Sequence, residues 1–303
     1  MKPIDSDVLN IIENNMKRGG PGDKTKPGEY DTTAWFHKTS KTIEKSMEDP
    51  NSITSLTKDK DIWFCSIPFT QVYSEINGNY QACCFAADSK ISIDDVSLED
   101  WMEKSEYMNS IRREMLDPNS DHKAVEKICT RCRSDEKRYG RSRRTNCMKM
   151  HTNDPNFWDG IERSARFFKQ TGEYYFDERI CEIQLKIFGS ECNLDCHMCM
   201  HANSTTRWNM ALKKGVWNDE LFGQFDERVE YVTDVLKDRS IDKLEQITKL
   251  APYTRSIKII GGEPLIMKRQ YELLDALIEC DEAKNIIIKY QTNFTKMQAG
   301  RQD

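Results

Sequence analysis

Three of the eleven cysteines fall within the eight-residue run CNLDCHMC, as Cys192, Cys196 and Cys199, directly behind an apolar run at 183–188. Thiolates spaced CxxxCxxC on a loop that leaves a strand can fold around one compact cofactor, which is how chains hold iron–sulfur clusters. Only three ligands are offered, and a metal site with an open position is a reactive one, whereas structural sites are closed. Structural zinc is the competing reading, with His197 or His201 as a fourth ligand. Zinc spacings, however, run in CxxC pairs. A chance grouping of core cysteines is the third reading.

The compartment decides how the cysteines are read. The start, MKPIDSDVLNIIENN, lacks the continuous apolar stretch of a signal peptide. The longest apolar runs, at 257–260 and 286–288, fall far short of the roughly 18 residues that suggest a membrane span. A cytoplasmic chain is expected, where disulfides rarely persist, so metal or cluster ligation is the leading use for so many thiols. The 303 residues suffice for about two domains. Aromatic residues at 10% argue against disorder throughout, and a net charge of -5 excludes an overall basic pull onto nucleic acid or anionic membranes.

Along the chain, residues 1–60 mix charge with Gly and Pro, notably at 19–30, and read as a polar arm and linker. In the next segment, 61–150, Val72 and Ile76 precede an Asn77-Gly78 pair, the signal of a tight two-residue hairpin turn. Residues 97–115 read as one helix capped by Ser97, with Leu98, Trp101, Met102, Tyr107, Met108 and Ile111 along it and Asp117-Pro118 behind it. A boundary lies between Cys147 and Ile180. Beyond it, strands at 183–188, 257–260 and 286–290 alternate with helices such as 225–236 and 268–279, a pattern of parallel β/α units.

Directly after the 257–260 strand stand Gly261, Gly262, Glu263 and Pro264. Glycines there let the main chain approach a ligand closely, although Gly-Gly after a strand alone is also an ordinary turn. The two motifs together resemble the radical S-adenosylmethionine superfamily, in which CxxxCxxC follows the first strand of a partial β/α barrel and a GGEP-like motif follows the second. The resemblance covers roughly 63–295. It implies a 4Fe-4S cluster on Cys192, Cys196 and Cys199, and S-adenosyl-L-methionine bound near Gly261, Gly262, Glu263 and Pro264, with its amino group against the Gly-Gly-Glu-Pro segment. Thr292-Asn293 sits at the end of the third strand, where family members often carry such a pair, so Asn293 joins the expected cofactor site. Met198 occupies the place before the third cysteine where an aromatic is more usual, and the resemblance counts it with the cofactor-binding residues, against the adenine. The run NSTTRW at 203–208 is similar to radical enzymes that carry a twitch or SPASM cysteine domain.

In this chain such a module resembles the segment ahead of the barrel, through Cys65, the Asn77-Gly78 hairpin, Cys83-Cys84, Trp101 and the pair Cys129-Thr130-Arg131-Cys132. The resemblance implies an auxiliary iron–sulfur cluster on Cys65, Cys84, Cys129 and Cys132, with Cys83 or Cys147 as substitutes. Structural zinc in the same four residues is an open alternative, because a hairpin cysteine plus CxxC also builds zinc ribbons. The stretch 127–144 holds eight basic and two acidic residues, including Glu136, Ser142 and Arg144. It reads as a solvated surface, a module feature, or a local site for phosphates, RNA or an acidic substrate.

The expected fold class is therefore α/β, with a partial, incomplete β/α TIM-like barrel over 181–303 preceded by a small α+β twitch-like domain over 61–150. The resemblance implies a radical enzyme that reductively cleaves S-adenosylmethionine to a 5′-deoxyadenosyl radical for hydrogen abstraction. It also implies a one-electron donor such as flavodoxin or ferredoxin, and favours a peptide substrate. A zinc-binding RNA-contacting module and a non-catalytic iron–sulfur protein are the alternatives. An eight-unit barrel of about 250 residues spends roughly 30 per unit, and only three units are readable here. The expectation is thus a truncated or split chain that assembles a cluster but binds S-adenosylmethionine weakly and turns it over slowly or not at all, unless a partner chain completes the barrel.

Overall fold

The computed structural model describes residues 63–86, 89–117, 119–151, 154–177, 179–213, 239–240 and 243–295. The expected arm at 1–60 and the expected helix at 225–236 lie outside them. The chain is α/β, built on one five-stranded mixed sheet. Its strands are β1 (Gln71–Ser74), β2 (Tyr80–Gln81), β3 (Cys181–Leu185), β4 (Thr254–Ile259) and β5 (Ile287–Tyr290), in the order β2-β1-β3-β4-β5. β1, β3, β4 and β5 run parallel, and β2 returns antiparallel to β1.

The three expected parallel strands are present, each shifted by a few residues. β3 ends at Leu185 opposite Ser74, the last residue of β1, because the ladder cannot outrun its neighbour. β1 was read only as half of a hairpin, yet it pairs in parallel with β3. The segments 61–150 and 181–303 therefore contribute strands to one sheet and side chains to one core.

The Asn77-Gly78 hairpin is present with a different turn. Gly78 N–H donates to Glu75 O at 2.9 Å and Glu75 N–H donates to Asn79 O at 2.9 Å, which makes a three-residue loop. Gly78 alone takes the left-handed conformation, φ 78°, as the residue closing a type I turn must. The helix expected at 97–115 is two helices, α1 (Leu98–Glu103) and α2 (Glu106–Leu116). Ser97 caps the first as expected, accepting from Asp100 N–H at 3.0 Å. Ser105 interrupts the run because its side chain caps Met108 N–H and so begins a second helix. Asp117 is extended, as a residue before proline prefers.

Next come α3 (Lys123–Tyr139), α4 (Arg143–Met150), α5 (Pro155–Thr171), α6 (Thr205–Lys213), α7 (Leu244–Leu250) and α8 (Arg269–Glu279). Strand alternation divides the sheet into two unlike faces. Val72, Ile183, Leu185, Ile257 and Ile259 point to one side and are buried in the core. Gln71, Tyr73, Glu182, Gln184, Ser256, Lys258 and Lys289 alternate with them and make the opposite face polar. Among the described residues no helix is long and apolar enough to cross a membrane.

Arg112 ties α2 to the rest of the fold. It is fully buried, donates to Pro68 O at 2.9 Å and to Asn109 Oδ1 at 2.9 Å, also bonds Met102 O, and lies 3.7 Å from the Tyr174 ring centroid. Replacing it with methionine keeps the volume but strands those acceptors. Each buried orphan costs about 1–3 kcal/mol. With three acceptors stranded, about 3–9 kcal/mol, Arg112→Met is therefore expected to lower the thermal midpoint by at least about 6 °C, at about 2–4 °C per kcal/mol for a chain this size. A midpoint unchanged in a thermal melt would contradict the assigned role.

Candidate functional site

The C-terminal ends of β3, β4 and β5 gather the motif residues at one edge of the sheet, the edge where open α/β sheets bind ligands. The loop after β3 carries CNLDCHMC, and the first turn of α6 stitches it down. Cys192 N–H donates to Thr205 Oγ1 at 3.2 Å, and Thr206 Oγ1 donates back to Cys192 O. Ser204 Oγ donates to Leu194 O at 3.1 Å, and Arg207 pairs with Asp195 at 2.9 Å. The run NSTTRW thus fixes the cysteine loop through its backbone. Cys199 N–H closes a turn onto Cys196 O at 3.0 Å. Cys196 is exposed, and Cys192 and Cys199 are half-buried. Burial pushes the Cys199 thiol up, and the neighbouring Cys192 and Cys196 add to it. Met198 is 96% exposed and packs on nothing.

The loop after β4 carries the Gly-Gly-Glu-Pro segment and lies directly against the cysteine loop. Glu263 N–H donates to Glu191 O at 2.7 Å. A Cβ on Gly262 would stand 2.1 Å from Glu191 O and 2.5 Å from Ser190 O, so only glycine fits. Gly261 has φ 151°, where other residues are strained. The close approach the glycines permit is made here to the backbone of the cysteine loop. Pro264 opens a short 3-10 turn, Pro264–Ile266.

Glu263 is 1% exposed and its carboxylate is fully engaged. It accepts from Leu265 N–H at 3.0 Å, Thr292 Oγ1 at 2.6 Å and Asn293 N–H at 2.7 Å. Asn293 Nδ2 in turn donates to Asn193 Oδ1 at 3.2 Å, and Asn193 Nδ2 donates to Thr295 Oγ1 at 2.7 Å. Three loops from three parallel strands are therefore locked together through Glu263, Asn193 and Asn293. Asn193 escaped sequence reasoning, and Thr205 and Thr206 stood out only as part of the NSTTRW run. A polar residue inside a cysteine motif carries no period, so nothing flagged its partner far along the chain.

The second cysteine group lies around α3 and α4. All eleven cysteines are free thiols. Cys129 and Cys132 sit within α3, three residues apart and so on one helical face, with Cys132 buried. Burial pushes Cys129 up to about 12 and Cys83 up to about 11, and neighbouring thiols add to both. Cys65 is raised by burial and by Cys129, Cys83 and Cys147. Cys147 is raised by burial and by Cys84 and Cys132. The structure thus brings Cys65, Cys83, Cys84, Cys129, Cys132 and Cys147 into one neighbourhood. Arg143 and Arg144, from the first turn of α4, face it.

Part of the basic stretch at 127–144 serves this local structure. Gly140 closes α3 in the left-handed conformation and Ser142 caps α4. Glu136 binds both Ser142 and Arg144, and Arg144 reaches Phe64 O at 3.1 Å. Arg131 lies over Phe85 and Arg133 over Trp63. Lys127, Lys137, Arg138 and Arg141 remain exposed.

Among the described residues, no three His, Cys, Asp or Glu side chains stand at metal-holding distances. The donor chemistry nevertheless suits a soft metal or an iron–sulfur group in both places, since each offers thiols grouped by the backbone. No family model, curated protein or solved structure matches the chain.

Proposed function

We propose that the chain is a radical S-adenosylmethionine iron–sulfur protein. One observation carries the reading. The CxxxCxxC loop, the Gly-Gly-Glu-Pro loop and Thr292-Asn293 lie at the ends of three consecutive parallel strands and interlock through Glu263, Asn193 and Asn293. Cys192, Cys196 and Cys199 would hold a 4Fe-4S cluster with one iron open, and the loops of β4 and β5 would border S-adenosylmethionine. When bound, the cluster supplies the electron that cleaves the sulfonium bond and yields a 5′-deoxyadenosyl radical for hydrogen abstraction. The protein's share is to hold the three loops rigid and to keep them at one edge of the sheet. β3, β4 and β5 would then be the first three units of a partial β/α barrel.

Cys65, Cys84, Cys129 and Cys132, with Cys83 and Cys147 beside them, would hold an auxiliary cluster in a twitch-like module. Burial raises the thiol pKa values of Cys65, Cys83, Cys129 and Cys147, so binding there releases protons. A flavodoxin- or ferredoxin-like donor and a peptide substrate complete the proposal.

Iron, sulfide and zinc are to be measured on the full chain purified without oxygen. The expected result is about four irons for the triplet and up to about four more for the second group. Cys84→Ser/Cys129→Ser/Cys132→Ser is expected to lose only the second share. Stoichiometric zinc with no iron would overturn the proposal in favour of a zinc module.

A further inference from the structure

We propose that the polar face of the sheet holds an oxyanion of the substrate, a carboxylate or phosphate, between Lys258, Lys289 and Arg143. The identification of this group as the substrate's rests on the function proposed above. The binding of an oxyanion there does not. Lys258 on β4 and Lys289 on β5 are direct partners in the parallel ladder. Like charges placed opposite one another in a sheet repel. Lys289 relieves its own charge on Ser256 Oγ at 3.0 Å and Glu182 Oε1 at 3.4 Å. Lys258 is half-buried and makes no ion pair or hydrogen bond with a side chain among the described residues.

Further cations crowd it. Burial, then Arg143 brought by α4, Lys289 and Lys186 just beyond β3, push the Lys258 ammonium below its ordinary value, against the opposing influence of Cys84. Lys186 is taken by Glu75. Arg143 faces Cys147, Cys84 and Glu182, and its buried Nε has no hydrogen-bond acceptor among the described residues. His151 stands 3.8 Å from the same Glu182 carboxylate, and burial holds its imidazole toward the neutral form. Among the described residues four cations, Lys186, Lys258, Lys289 and Arg143, therefore share two carboxylates, Glu75 and Glu182, beside the thiols of Cys84 and Cys147. Among the described residues the half-buried Lys258 ammonium has no hydrogen-bond or ion-pair partner, and the buried Arg143 Nε–H has no acceptor. A bound oxyanion accepts from both and screens the Lys258–Lys289 repulsion.

The test uses the full chain, metal-free and iron–sulfur-loaded, titrated by calorimetry with inorganic phosphate and separately with acetate. Saturable binding of at least one anion is expected in both forms, and the tighter anion identifies the group. Lys258→Met is expected to weaken it at least tenfold, whereas Lys137→Gln, on the exposed side of α3, leaves it unchanged. In anion-free buffer Lys258→Met removes the repulsion and is expected to raise the thermal midpoint by about 2–4 °C. Absence of binding, equal binding by Lys258→Met, equal loss in Lys137→Gln, or a lowered midpoint would overturn the inference. Binding that disappears on iron–sulfur loading would assign the cations to the cysteine group instead and overturn it too. Iron content and 5′-deoxyadenosine are read separately. A chain that binds the anion without iron keeps the site and loses the radical function, and the reverse result loses the site alone.

Discussion

Replacing Cys192, Cys196 and Cys199 together by alanine is expected to remove about four irons per chain and to reduce S-adenosylmethionine cleavage to background. The fold should survive, because the loop is held by its backbone. The bonds from Cys192 N–H to Thr205 and from Thr206 to Cys192 O do not involve the thiols. Cys196 is exposed, so its truncation leaves no cavity. The thermal midpoint of the metal-free variant should lie close to that of the metal-free parent. Iron retained in full at the parental visible absorbance would refute the ligand assignment. A collapsed melt would refute the account of what holds the loop.

Gly262→Ala is expected to have the largest effect of any single substitution at this edge. The new Cβ would stand 2.1 Å from Glu191 O, a backbone atom in a loop already pinned on both sides. Neither backbone can yield without losing the Glu263 N–H bond to Glu191 O. Overpacking typically costs about 1–3 kcal/mol, and the broken hydrogen bond adds about 1 kcal/mol. The midpoint should fall by roughly 4–16 °C at about 2–4 °C per kcal/mol. The Glu263 clamp on Thr292 and Asn293 should loosen with it, so S-adenosylmethionine affinity is expected to drop along with stability. A variant with the parental melt would show that the two loops do not meet as described.

The sequence made some of this legible through strong local signals. Ser97 caps its helix because a serine before an apolar period has one obvious use, and Gly78 is needed for its positive φ. The parallel strands stood out as β-branched runs between helices. β1 did not, since Gln71–Ser74 carries polar residues at two of its four positions and its partner β3 lies far along the chain. A hairpin is local and visible, whereas a parallel crossover is neither.

The cysteine, Gly-Gly-Glu-Pro and Thr-Asn motifs could each be read alone, but not their lock. Glu263 looks like a ligand residue in the sequence. In the fold its carboxylate holds the ends of β4 and β5 together. The polar sheet face was readable in principle from the alternation Glu182-Ile183-Gln184-Leu185-Lys186 and Ser256-Ile257-Lys258-Ile259. Attention to apolar runs hid it. The CxxC pair, read only by its order after the hairpin and helix, lies within α3, where helical spacing aligns the two thiols.

The most direct test of the central claim is a single-turnover assay of the full chain. It is reconstituted with iron and sulfide, reduced with dithionite and given S-adenosylmethionine, and 5′-deoxyadenosine is then counted per chain. The account predicts formation that requires reductant and vanishes in the Cys192/Cys196/Cys199 alanine variant. A chain that carries its irons at the triplet yet releases no 5′-deoxyadenosine would contradict it.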